Sequence, residues 1–181
     1  MPASTARRMS TAAHLGSDAY RTGAFVLVTA TAVVLAALAF EYIGGYIPCP
    51  LCLQERYAYY AGIPLAFLSL VLVSSGRPRT AGLLFFLVAL LFLANTAAGG
   101  YHAGAEWKFW PGPETCGTIQ PIGGAGGAGV LDKLATTKVI RCDEAQWRFA
   151  WLSFAGWNAV ISLVLFIASL KAAFAASSSA E

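Results

Sequence analysis

The run that decides the fold is Gly23–Ile43, GAFVLVTATAVVLAALAFEYI. It carries no charge before Glu41, and its length is close to the ~20 residues a helix needs to cross a bilayer. Three further runs follow at Tyr57–Ser75, Ala81–Ala98 and Ala150–Leu170. The first is too long for a signal-peptide core, and its exit, Glu41-Tyr42-Ile43-Gly44-Gly45, is a poor cleavage site, so it reads as a retained helix. The whole chain agrees. Of its 181 residues 57% are hydrophobic and 12% charged, too few charges for a soluble domain of this size. The net charge of +3 comes without a dense basic cluster, so nothing points to nucleic acid.

The expected fold is therefore all-α, a four-transmembrane-helix bundle spanning residues 23–170. A short outer loop lies at about 44–50 and a long one at about 99–149, with tails at 1–22 and 171–181. Four crossings put both termini on one side. Arg7, Arg8, Arg21, Arg77, Arg79 and Lys171 flank the helices there, while the first outer loop has no Lys or Arg. That asymmetry places the termini in the cytoplasm. Lys108, Lys133, Lys138, Arg141 and Arg148 in the long loop pull the other way.

The long loop divides by composition. Tyr101–Pro113 holds Trp107, Phe109 and Trp110, residues suited to a membrane interface. Thr115–Gly129 contains Cys116 and then PIGGAGGAG, either a spacer or a hinge that lets Cys116 travel. Val130–Lys138 has the pattern of a short interfacial helix. Asp143 and Gln146 resemble a capping box opening the last helix.

The chemistry sits in PCPLCLQERY, residues 48–57. With Cys49 as N-cap, Pro50 falls where a missing N–H costs nothing. Cys52 then lies in the first turn, where free N–H groups and the positive helix end favour a thiolate. Arg56 is one turn further along the same face. Its alternatives are snorkelling, or pairing with Glu55 or Glu106. All four cysteines (Cys49, Cys52, Cys116, Cys142) fall on the outer side, as suits an oxidising compartment. A zinc site is disfavoured, since Cys116 and Cys142 lie far apart and no nearby His completes a Cys/His set. Leu53 after the second cysteine excludes c-type haem attachment. A static staple gains little from so short a loop, so a redox couple is the better reading of Cys49/Cys52.

Three stretches, PCPLCLQERYAYYAGIP, GGYHAGAEWKFWPGPETC and VIRCDEAQWRF, together resemble the disulfide bond formation protein B (DsbB) family. The related vitamin K epoxide reductases place the short cysteine pair late; here it comes first. The resemblance implies an inner-membrane enzyme that reoxidises a DsbA-like periplasmic thioredoxin-fold partner and passes electrons to a quinone, ubiquinone or menaquinone. It implies that Cys116 accepts the partner's thiolate and that Cys142 is its mate. Cys49 would exchange with that pair, and Cys52 would face the quinone, with Arg56 and His102 beside it. Two readings stand as alternatives: a non-enzymatic membrane scaffold stapled by two disulfides, and a thiol reductase related to the epoxide reductases.

Overall fold

The computed structural model describes residues 3–112, 117–121 and 137–179. Four helices dominate: α1 (Ala3–Tyr42), α2 (Pro50–Ser74), α3 (Pro78–Glu106) and α4 (Phe154–Ser178). All four contain stretches long and apolar enough to cross a membrane, and the protein is a multi-pass membrane protein. Residues 3–22, expected as a tail, continue α1 as helix, and α4 runs on past Leu170 to Ser178.

The helices form a ring. α1 packs on α2 and α4, and α3 packs on the same two, while α2 and α4 scarcely touch across the diagonal. The centre is filled by Val26, Ala30 and Val34 from α1, Tyr59 and Ala66 from α2, Val88 and Phe92 from α3, and Leu165 from α4. Large apolar residues such as Phe25, Leu35, Phe67, Leu83 and Ile167 face outward, as lipid contact allows. Small residues set the close approaches, as in membrane bundles generally. A Cβ on Gly99 would stand 3.1 Å from the backbone nitrogen of Ala159, so α3 meets α4 there at backbone distance.

The all-α bundle is as expected, and its loops add two short antiparallel strand pairs. β1 (Gly117–Pro121) pairs antiparallel with β2 (Thr137–Arg141), with Gly117 opposite Arg141. Thr137 and Lys138 thus lie in a strand rather than in the expected interfacial helix, and the rest of that segment, like Cys116, lies outside the described residues. β3 (Arg148–Phe149) and β4 (Leu152–Ser153) form a hairpin whose corner residues, Ala150 and Trp151, have φ of 48° and 73°. That conformation is the one a two-residue hairpin turn requires. It also explains why the last helix starts at Phe154 and not at Ala150. Ser153 is its N-cap, its Oγ accepting from the Gly156 N–H at 3.2 Å. Asp143 and Gln146 do not open a helix; they tie the loops down.

Candidate active site

The site begins with how α2 starts. Cys49 is the N-cap, in extended conformation, and Pro50 opens the helix. The Cys52 backbone N–H donates to Cys49 Sγ at 3.2 Å. The helix terminus therefore serves the first cysteine, not Cys52 as the sequence reading had it. Cys49 and Cys52 are free thiols with sulfurs 2.8 Å apart. Cys49 is buried and Cys52 partly exposed. The hydrogen bond from Cys52 outweighs the effect of burial, and with help from His102 it draws the Cys49 thiol down to about 5, as expected of a thiolate at a helix N-terminus.

His102 arrives from the last turns of α3. It is 2% exposed. Its Nε2 lies 3.6 Å from Cys49 Sγ, and its Nδ1 is 2.8 Å from Glu55 Oε1. The other carboxylate oxygen of Glu55 accepts from Asn158 Nδ2 at 2.8 Å, and Asn158 Oδ1 accepts from the Tyr59 hydroxyl at 2.7 Å. Asn95 donates to Ser162 at 2.9 Å, and Ser162 lies 3.2 Å from the Tyr59 hydroxyl. A polar seam thus runs from the thiols into the middle of the bundle. Glu106 stands on the other side of the ring, with Oε1 3.9 Å from His102 Nε2. The expectation that no histidine completes a Cys/His set is overturned here: Cys49 Sγ, Cys52 Sγ and a His102 nitrogen all lie within 4.8 Å of one another. The helix ring, not the sequence spacing, makes that neighbourhood.

Arg56 is paired with Glu41 at the end of α1, and not with Glu55 or Glu106. Glu41 and Asn158 were thus missed from sequence, and Glu55 was named only as a partner for Arg56, not for His102. A signal for two of them existed, since Glu55 and Asn158 are polar positions within spanning helices, which usually have a partner or a task.

The described end of the long loop packs on this site. Cys142 is disulfide-bonded, buried, and packed in one cluster with Cys49, Cys52, Ile47 and Leu51. Gln146 Nε2 donates to the Ile47 carbonyl at 2.8 Å, joining the long loop to the short one. Asp143 accepts from Lys108 Nζ at 2.7 Å and from Arg141 Nε at 3.0 Å. Those cations hold its carboxyl well down, at about 2.

Beside the thiols is a cavity of about 430 Å³. Val33, Ala37 and Phe40 of α1 and Ile161 of α4 line it with apolar surface, and Cys52, Arg56 and His102 supply polar points. Phe40, Trp147 and Phe154 pack together at its rim, with ring centroids 4.7–5.6 Å apart. A mostly apolar cavity with a few convergent polar groups is the usual form of a small-molecule site.

Fold and site together define a membrane-embedded thiol–disulfide oxidoreductase, with a reduced dithiol buried between an apolar cavity and a disulfide-bearing loop. The comparisons agree. Residues 20–172 match the family model for disulfide bond formation protein DsbB, and the chain belongs to that family. A disulfide bond formation protein B of Marinobacter nauticus is 30% identical over 156 residues, covering 81% of this chain and 88% of that protein. One of Albidiferax ferrireducens is 24% identical over 165 residues, covering 86% and 88%. An uncharacterized protein of Rickettsia prowazekii is 22% identical over 156 residues, covering 85% and 88%. No solved structure matches. Membership carries a role in disulfide bond formation.

Proposed function

We propose that the protein reoxidises a periplasmic DsbA-like dithiol and delivers the electrons to a membrane quinone, with Cys116/Cys142 as the outer redox pair and Cys49/Cys52 as the inner one. The observation that carries this reading is the packing of Cys142 against a free Cys49/Cys52 dithiol that itself borders an apolar cavity. Cys116 as the mate of Cys142 is supported by the strand register. Gly117, just after Cys116, pairs with Arg141, just before Cys142.

In the first exchange, a partner thiolate attacks the Cys116–Cys142 disulfide, and the partner leaves as a disulfide with Cys116 and Cys142 reduced. In the second, the reduced outer pair attacks an oxidised Cys49–Cys52 bond and leaves those two as thiols. Each exchange moves two electrons and conserves thiols. A bound quinone supplies a two-electron, two-proton acceptor. The cavity fits such a group, being apolar along its wall and lined by Cys52, Arg56 and His102. Arg56, fixed by Glu41, presents a permanent cation. His102, oriented by Glu55, is within reach of the Cys49 thiol proton.

The same reading puts the protein in the bacterial inner membrane. Residues 23–170 form the membrane domain, 1–22 and 171–181 are cytoplasmic, and both cysteine loops are periplasmic. Reporter fusions at either terminus test this, and a periplasmic signal at the C-terminus would reverse it. The function is tested by feeding the purified protein a reduced thioredoxin-fold oxidase and following quinone absorbance. Each Cys→Ser variant is expected to fall to the uncatalysed rate. A Cys52→Ser protein that still reduced quinone at the parent rate would refute the scheme.

A further inference from the structure

Thiolate sulfur and imidazole nitrogen are the donors preferred by zinc-like divalent ions. Three of them converge at the start of α2. Cys49 Sγ is 2.8 Å from Cys52 Sγ and 3.6 Å from His102 Nε2, and all three atoms lie within 4.8 Å of one another. Around a tetrahedral ion with bonds of about 2.0–2.3 Å, neighbouring donors stand about 3.3–3.8 Å apart. The sulfur pair, at 2.8 Å, has to open by about 1 Å to reach that spacing.

The surroundings are those of a built site. Glu55 Oε1 accepts from His102 Nδ1 at 2.8 Å, which turns Nε2 toward the thiols. Glu55 is held in turn by Asn158. This carboxylate–histidine arrangement is the usual support for a metal-ligating ring. The second, independent observation is Glu106. Its Oε1 lies 3.9 Å from His102 Nε2 with the side chain 6% exposed, and its Oε2 is buried without a hydrogen-bond partner among the described residues. A buried carboxylate with one oxygen 3.9 Å from His102 Nε2 and the other unpartnered among the described residues is the candidate fourth ligand.

We propose that the reduced Cys49/Cys52 dithiol, with His102 and Glu106, binds one zinc-like divalent ion and is thereby closed to exchange. The balance is simple: the dithiol and the imidazole Nε2 release to water the protons they still hold, the ion sheds water, two metal–sulfur bonds, one metal–nitrogen bond and one metal–oxygen bond form, and no electron moves. With Cys49 and Cys52 joined as a disulfide, the thiolates are gone and so is the site. Binding thus reports the redox state of the inner pair and holds the protein in a reversible off state. It involves neither acceptor nor partner, so it stands or falls separately from the electron route.

The test uses full-length protein in detergent carrying Cys116→Ser and Cys142→Ser, so that only the inner pair can bind. Cobalt(II) is titrated into phosphine-reduced and oxidised samples, and the thiolate-to-cobalt charge-transfer absorption is read. One equivalent per chain is expected when reduced and none when oxidised, with zinc displacing cobalt. His102→Gln is expected to weaken binding at least about tenfold, and Glu55→Gln about 10–100-fold as loss of an outer support. Equal binding by reduced and oxidised protein overturns the proposal, as does parent-like affinity in both His102→Gln and Glu106→Gln. If those variants fail to fold, unaltered reduced protein decides. Zinc is expected to slow alkylation of Cys49 and Cys52 at least tenfold, and no protection overturns the proposal.

Discussion

At the scale of residues, the chemistry turns on which cysteine receives the helix terminus. Cys49 does, and its thiol is drawn down to about 5 by Cys52 and His102. The thiolate is the reactive form, so alkylation of Cys49 by a small reagent is expected to rise as pH passes upward through about 5 and then level off. His102→Gln is expected to move that midpoint upward. A midpoint near an ordinary thiol in the parent protein would show that Cys52 and His102 do not act on Cys49 in this way. Arg56 gives a second prediction. Its pair with Glu41 is mostly buried, at 13% and 23% side-chain exposure. Glu41→Gln removes a charged hydrogen-bond partner and is expected to cost roughly 1.5–3 kcal/mol, measurable as a lower unfolding midpoint in detergent. Position 56 stood out in the sequence because it places a cation one turn from Cys52. Its partner was not, because Glu41 lies on another helix and nothing in the spacing links them.

At the scale of elements, α3 places His102, and the closeness of α3 to α4 is set by Gly99. Any Cβ there meets the Ala159 backbone at 3.1–3.2 Å. Gly99→Val is expected to cost roughly 1–3 kcal/mol and to slow thiol oxidation as His102 shifts, as read by thermal unfolding and turnover on the same sample. The loop elements depend on Asp143. Its carboxyl is held down to about 2 by Arg141 and Lys108, below the ordinary 3.8. A depressed acid stabilises the folded loop at pH above its unfolded value, and that contribution disappears as pH falls from about 4 through about 2. The loop is expected to become protease-sensitive over that window, and Asp143→Asn to show the same sensitivity already at neutral pH. The sequence suggested a helix cap at Asp143–Gln146. The same short polar side chains bind backbone and cations equally well in a loop, and the Ala150–Trp151 hairpin corner then leaves the helix to begin at Ser153.

At the scale of the whole molecule, the four crossings were legible because apolar length is a direct physical requirement of the bilayer. The neighbourhood of Cys49, His102 and Glu55 was not legible from spacing or periodicity, because it depends on the cyclic order of helices that share no local pattern; only the family resemblance set His102 near the pair. Lipid exposure can be tested from the same picture. Val164 is 46% exposed on α4, while Leu165 beside it is fully buried. Val164→Lys is expected to make insertion of that helix less favourable by roughly 2.5–3.5 kcal/mol, lowering the carbonate-resistant membrane fraction, with Val164→Ala neutral.

The polar seam has a consequence for assembly. α2 and α4 scarcely touch, yet Tyr59 and Glu55 both bond to Asn158 across that diagonal. Apolar helix faces in lipid tolerate sliding, because one methyl contact resembles the next. A slip of one turn, about 5.4 Å, would strand a carboxylate, an amide and a phenol in hydrocarbon, at several kcal/mol. The seam therefore acts as a detent. It fixes the vertical register of two helices that hardly meet, and so sets the height at which Cys49 and Cys52, at the start of α2, stand against α4.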